Sequence, residues 1–110
     1  MALPQEQGYT IEDIYALPEG TRAELIDGKI YYMAPPNTKH QRISGFLHSK
    51  IYQYISNHNG TCETFTAPFA VFLSEDNKNY VEPDISVICD KNKLTDKGCV
   101  GAPDWIIEIV

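Results

Sequence analysis

Two acids stand in surroundings that do not favour a charge. Glu108 lies within Trp105-Ile106-Ile107-Glu108-Ile109-Val110, and Asp84 follows Pro83 and leads into the apolar alternation Ile85, Val87. An ionised carboxylate among apolar side chains is costly unless something pairs with it. A basic side chain, a hydrogen-bond cluster or a bound cation would justify Glu108; alternatively it sits near a strand end and reaches water. Two strands that each present one carboxylate at the same level of a sheet make an oxygen-rich cleft. Such a cleft suits Mg2+ or Mn2+, since a hard cation accepts one or two carboxylates and keeps its other positions for water or phosphate oxygens. A cation held there would polarise a phosphodiester and activate a water. Glu24 alternates with Ile26 on an early strand and would extend the metal site or orient a water, or else pair with Lys29 or Arg22 at the surface. By itself a Pro-Asp followed 24 residues later by a strand glutamate is unspecific.

Positioning these acids falls to elements with clear local signals. Thr10-Ile11-Glu12-Asp13 resembles a capping box, and Ile11, Ile14, Tyr15 and Leu17 form a short helical stripe that Pro18-Glu19-Gly20 ends. Residues 22–34 read as a β-hairpin around Asp27-Gly28, a dipeptide suited to a turn with positive φ. Residues 38–58 read as the main helix, with Ile43, Phe46, Leu47, Ile51, Tyr54 and Ile55 as one core-facing stripe. Residues 62–73 read as a strand bent near Pro68, residues 81–90 as a second strand, and residues 91–102 as a polar loop. The closing run, apolar apart from Glu108, reads as a strand in the middle of a sheet. No turn or polar tail follows it, so the chain is expected to be the N-terminal portion of a longer domain. The order helix, hairpin, helix and three strand-like segments predicts an α/β domain with a mixed sheet and the long helix packed across it.

Composition sets the frame. With 110 residues, 43% apolar and 11% aromatic, the chain is one globular domain. No apolar stretch approaches the roughly 20 residues needed to span a membrane, and the opening residues carry no secretory pattern. Cys62, Cys89 and Cys99 have no metal-ligand spacing, and their odd number argues against a disulfide framework. They are expected to be reduced and mostly buried, which points to the cytoplasm. The net charge of −6 is not that of a general nucleic-acid binder. Residues 38–59, however, hold Lys39, Arg42, Lys50 and all three histidines and no acid, leaving −6 − 3 = −9 on the rest. That segment is either a solvated helix face or a local patch, with Lys39, His40 and Arg42 as candidates, that touches a phosphate backbone. Glycine-rich phosphate loops and nucleophile elbows are absent from the sequence.

Several short segments resemble the Uma2 family, restriction-endonuclease-like proteins within the PD-(D/E)XK nuclease superfamily. They are Tyr9-Thr10-Ile11-Glu12-Asp13, Ala16-Leu17-Pro18-Glu19-Gly20, Ala23-Glu24-Leu25-Ile26-Asp27-Gly28, Met33-Ala34-Pro35-Pro36, His40-Gln41, Ala67-Pro68-Phe69, Glu82-Pro83-Asp84-Ile85-Ser86-Val87 and Gly101-Ala102-Pro103-Asp104, leading to Ile107-Glu108-Ile109-Val110. The resemblance implies a restriction-endonuclease-like core, a mixed sheet flanked by helices, and metal-dependent hydrolysis of DNA by a bacterial enzyme linked to transposons or defence. It places Asp84 on the Pro-Asp aspartate, Glu108 on the acid of the (D/E)XK element and Glu24 on the early glutamate. Val110 stands where the motif has lysine; in similar proteins that lysine sits on a following helix.

The expected function is therefore a Mg2+- or Mn2+-dependent DNA endonuclease, with Asp84 and Glu108 as metal ligands and Glu24 assisting. The alternative is a non-catalytic module that keeps the nuclease fold to bind a partner. A homodimer is expected in either case, because an incomplete sheet leaves apolar surface and unpaired edges.

Overall fold

The computed structural model describes residues 8–110; the reading of the opening segment as free of a secretory leader falls mainly on residues 1–7, outside the described residues. Thr10 starts α1 (Ile11–Tyr15), where the Asp13 carboxylate accepts the Thr10 N–H at 2.8 Å. Ile11 and Ile14 turn into the core. Strands β1 (Ala23–Ile26) and β2 (Lys29–Tyr32) form the expected hairpin, with Ile26 opposite Lys29. Its two turn residues both adopt positive φ, Asp27 at 50° and Gly28 at 79°, which matches the right-handed twist of the strands.

Helix α2 (Thr38–Asn57) begins where the sequence predicts it, because the Asn37 side chain accepts the His40 N–H at 2.8 Å. It packs against β3 (Glu63–Thr66). Four of the six stripe residues face the body as expected: Ile43, Leu47, Ile51 and Ile55 are partly covered, whereas Phe46 and Tyr54 are exposed. Spacing alone groups all six, but one short strand is too narrow to cover them.

The expected 62–73 strand is two strands in different sheets, β3 and β4 (Val71–Phe72), separated at Pro68. Strand β5 (Ile85–Ile88) is shorter than predicted and buried along its whole length. The predicted 91–102 loop contains a hairpin, β6 (Leu94–Thr95) and β7 (Gly98–Val100). Here Gly98, at φ 141°, lies so close to the Ala70 carbonyl that a Cβ would stand 2.2 Å from its oxygen. Strand β8 (Trp105–Ile107) closes the chain. Hydrogen bonding orders the sheets as β1-β2, β3-β5-β8 and β4-β7-β6, and the mixed pairing lies in the last, where β4 runs parallel to β7.

Two cores hold these sheets together. Ile11, Ile14, Ala23, Leu25 and Tyr80 form one; Val71, Ile88 and Cys99 form the other. Single bridges from Leu25 to Tyr80 and from Val71 to Val81 stitch the segment before β5 to both.

Two expectations need correction. The central buried strand is β5, not β8: β8 lies at an edge of its sheet, and Trp105 and Ile106 are exposed. The apolar character of a strand does not reveal on how many sides it is covered. Nor are all cysteines reduced and buried. Cys62 and Cys89 form a disulfide, Cys89 is exposed, and only Cys99 is both free and buried. The register of β3 on β5 pairs Glu63 with Ile88, and one step further sets Cys62 opposite Cys89. Counting cysteines cannot see a register, and the compartment argument built on reduced thiols loses its basis. The bridge closes a separation of 27 residues, for which the chain-entropy account gives about 2–4 kcal/mol. Urea unfolding with and without reductant should show a loss of that size, absent in a Cys62→Ser, Cys89→Ser double variant; equal midpoints for the oxidised and reduced chains would remove the bridge from the list of stabilising contacts.

Candidate active site

The antiparallel register of β5 and β8 decides where the two acids meet. Ile85 faces Ile107, so the next step places Asp84 directly opposite Glu108, just past the end of the ladder. Residues opposite each other in an antiparallel pair project to the same side. Each carboxylate also holds the other strand's backbone. Glu108 Oε1 accepts the Asp84 N–H at 2.9 Å, and Asp84 Oδ2 accepts the Ile109 N–H at 2.7 Å. A third constraint comes from the Asp84 carbonyl, which accepts the Ala67 N–H at 2.9 Å. Asp84 is therefore anchored at both ends of its peptide and through its side chain. Glu108 itself is exposed, so the cost of burying it does not arise.

The first turn of α2 brings His40 to this pair. Its Nε2 lies 3.1 Å from Asp84 Oδ1. The helix N-terminus, with its partial positive charge, thus points toward a carboxylate, the favourable sense. Together these groups line an open cleft of about 730 Å3, shared with Arg22, Lys39, the 33–37 loop and Pro68. Of the three predicted phosphate-contacting residues, Lys39 and His40 line the cleft; Arg42 lies outside it on the exposed helix surface.

Glu24 is placed differently. It is not among the cleft-lining residues; its carboxylate accepts the Glu82 N–H at 2.9 Å. Glu24 thus fixes the segment that carries Asp84 two residues further on. The same segment is held by a pairing the sequence reading did not give, in which Arg22, offered there as a surface partner of Glu24, goes to Glu82 instead. Glu82, although almost fully buried, accepts from Arg22 Nε at 2.8 Å and from the Tyr80 hydroxyl at 2.9 Å. Burial, reinforced by the Glu82 carboxylate, pushes the Tyr80 hydroxyl well above its ordinary range, so it remains a donor. Arg22 Nη2 is buried without a partner among the described residues. The available signal was the alternation of Arg22 with Glu24, which sets both on one face of the chain entering β1.

A donor set follows from this geometry. Among the described residues no group of three or more His, Cys, Asp and Glu side chains stands at metal-holding spacing. Two carboxylates on one cleft wall are oxygen ligands of the kind that a hard divalent cation takes. Among the described residues Glu108 Oε2 has no hydrogen-bond partner, Oε1 being the atom that accepts from Asp84, and it would be the first oxygen available.

Among solved structures the chain is similar to one described as a "putative nuclease belonging to DUF820" from Anabaena variabilis ATCC 29413, with a TM-score of 0.69 and 26% identity. The match covers 92% of this chain and 57% of that one, so the chain spans little more than half of its structural relative. A comparison with curated proteins finds no match. Among the described residues no helix is long and apolar enough to cross a membrane. The fold is thus that of a nuclease-like α/β domain, and the family described as "Uma2: Putative restriction endonuclease" matches residues 11–110, nearly the whole chain. This chain belongs to the Uma2 family.

Proposed function

We propose that this chain carries the two-carboxylate metal centre of a DNA endonuclease that hydrolyses phosphodiester bonds with Mg2+ or Mn2+. The observation that carries the proposal is the opposition of Asp84 and Glu108 at one end of β5 and β8, each held by the other's backbone N–H. Asp84 and Glu108 would hold the cation, which supplies Lewis acidity toward the phosphodiester and lowers the pKa of a water. The chain's own residues do the rest. Ile109 N–H and His40 Nε2 orient the Asp84 carboxylate, so that little reorganisation accompanies the reaction. Lys39 at the cleft mouth offers a compact positive charge to a phosphate. Glu24 and Glu82 hold the peptide that presents Asp84.

Metal titration tests this directly. Mn2+ or Mg2+ at many times its dissociation constant should raise the melting temperature by several degrees, because 1 kcal/mol of binding free energy moves a domain of this size by roughly 4–8 °C. Asp84→Asn should remove that rise. A second reading, a module that pairs with a copy of itself, draws on the open edge of β8 with Trp105 and Ile106 exposed. A melting curve indifferent to millimolar metal, from a chain that sediments as a dimer, would favour that reading.

A further inference from the structure

We propose that the outward face of α2 is a track along which single-stranded DNA runs into the cleft; this deepens the endonuclease reading and rests on it for the identity of the polymer. The face is defined by spacing. Lys39, Arg42, Phe46, Lys50 and Tyr54 succeed one another at three or four residues, so they form one stripe along the helix. The stripe lies away from Ser44, Ile51 and Ile55, which face the body of the protein or are partly covered. It begins at Lys39, a cleft-lining residue, and the 15 steps from there to Tyr54, at about 1.5 Å each, carry it roughly 22 Å along the helix.

Charge and chemistry select the occupant. Residues 38–59 contain no acid in a chain of net charge −6, so the one basic stripe of α2 complements a polyanion. Phe46 and Tyr54 are 62% and 65% exposed, an exposure that a merely solvated helix face does not require. Lys50 Nζ lies 5.5 Å over the Phe46 ring, and Tyr54 stacks on His58 at 4.0 Å. Exposed rings interleaved with the lysines and arginine of the stripe are the arrangement by which proteins take up a single strand, with bases on the aromatic faces and phosphates on the charges. A duplex keeps its base faces inside the stack and has no use for the rings.

The test is fluorescence anisotropy of a labelled oligothymidylate across a NaCl series, in EDTA so that nothing is cut. The Lys39→Gln, Arg42→Gln, Lys50→Gln variant should bind at least tenfold more weakly, and the slope of log K against log salt should fall by about 2, three charges each contributing about 0.7. Phe46→Ala with Tyr54→Ala should weaken single-strand binding by roughly tenfold with the slope unchanged, and should alter duplex binding less. All five side chains are solvent-facing or at the cleft mouth, and unchanged melting curves confirm that each variant folds. Wild-type affinity in both variants, or a duplex bound more tightly than the single strand with the aromatic variant neutral, overturns the track. The two proposals separate cleanly: an oligonucleotide that binds as described in a protein indifferent to metal sinks the nuclease centre alone, and metal-dependent cutting with undiminished affinity in the helix variants sinks the track alone.

Discussion

Asp84→Asn should slow Mn2+-dependent cleavage of DNA by roughly 10²–10³-fold, the scale seen when one preorganised electrostatic group is removed from a reaction centre. The substitution keeps the shape of the side chain and one oxygen, and the Ile109 N–H at 2.7 Å can still be satisfied. What changes is the charge toward a cation and the acceptor facing His40 Nε2 at 3.1 Å. The fold should therefore survive while the metal-dependent rate falls. Glu108→Gln should act in the same direction, and if both acids serve one centre, as proposed, the double variant should be little worse than either alone. Single-turnover cleavage of a supercoiled plasmid reads this out. Undiminished cutting by the double variant would remove both acids from the reaction.

Glu82→Ala should cost about 3 kcal/mol of folding stability, a large share of the roughly 5–15 kcal/mol available to a domain. The Glu82 side chain is 10% exposed and accepts from both Arg22 Nε and the Tyr80 hydroxyl. Its removal leaves a guanidinium and a phenol without an acceptor in a largely dry place. Breaking a fully buried pair typically costs about 3–5 kcal/mol; Arg22, at 29% exposure, retains some contact with water, which puts the expectation at the lower end. Exchanging the whole cluster for apolar groups, Arg22→Met, Tyr80→Phe and Glu82→Met, should recover most of the loss, because no uncompensated charge remains. Urea denaturation measures both. A loss below about 1 kcal/mol in Glu82→Ala would mean that water already screens the cluster. The same variant should also weaken the metal-dependent melting shift, since Glu82 lies two residues from Asp84 and holds the same segment.

Both expected results depend on particular contacts that differ in how far the sequence foretold them. The Asp27-Gly28 turn was legible because positive φ at two adjacent residues is a local steric matter. So was the start of α2, where Asn37 satisfies a backbone donor three residues on. Asp84 and Glu108 stood out by residue type, and the family resemblance is upheld over residues 11–110. The Arg22–Glu82–Tyr80 cluster was not visible, because Arg22 and Glu82 stand 60 residues apart and no periodicity links them. The exposure of Phe46 and Tyr54 was misread for a related reason: helical spacing shows which side chains share a face, not how wide the neighbouring surface is.

By itself the sequence determined the local elements, the kind of acids available and the acid-free character of residues 38–59. Only the tertiary structure decided the register of β5 against its two neighbours. Those two alignments set Asp84 across from Glu108 on one side and Cys62 across from Cys89 on the other. The physical reason is range. Turns, caps and helical stripes arise from sterics and hydrogen bonds among residues a few positions apart, whereas a strand register is chosen by the burial of whole faces contributed by distant segments.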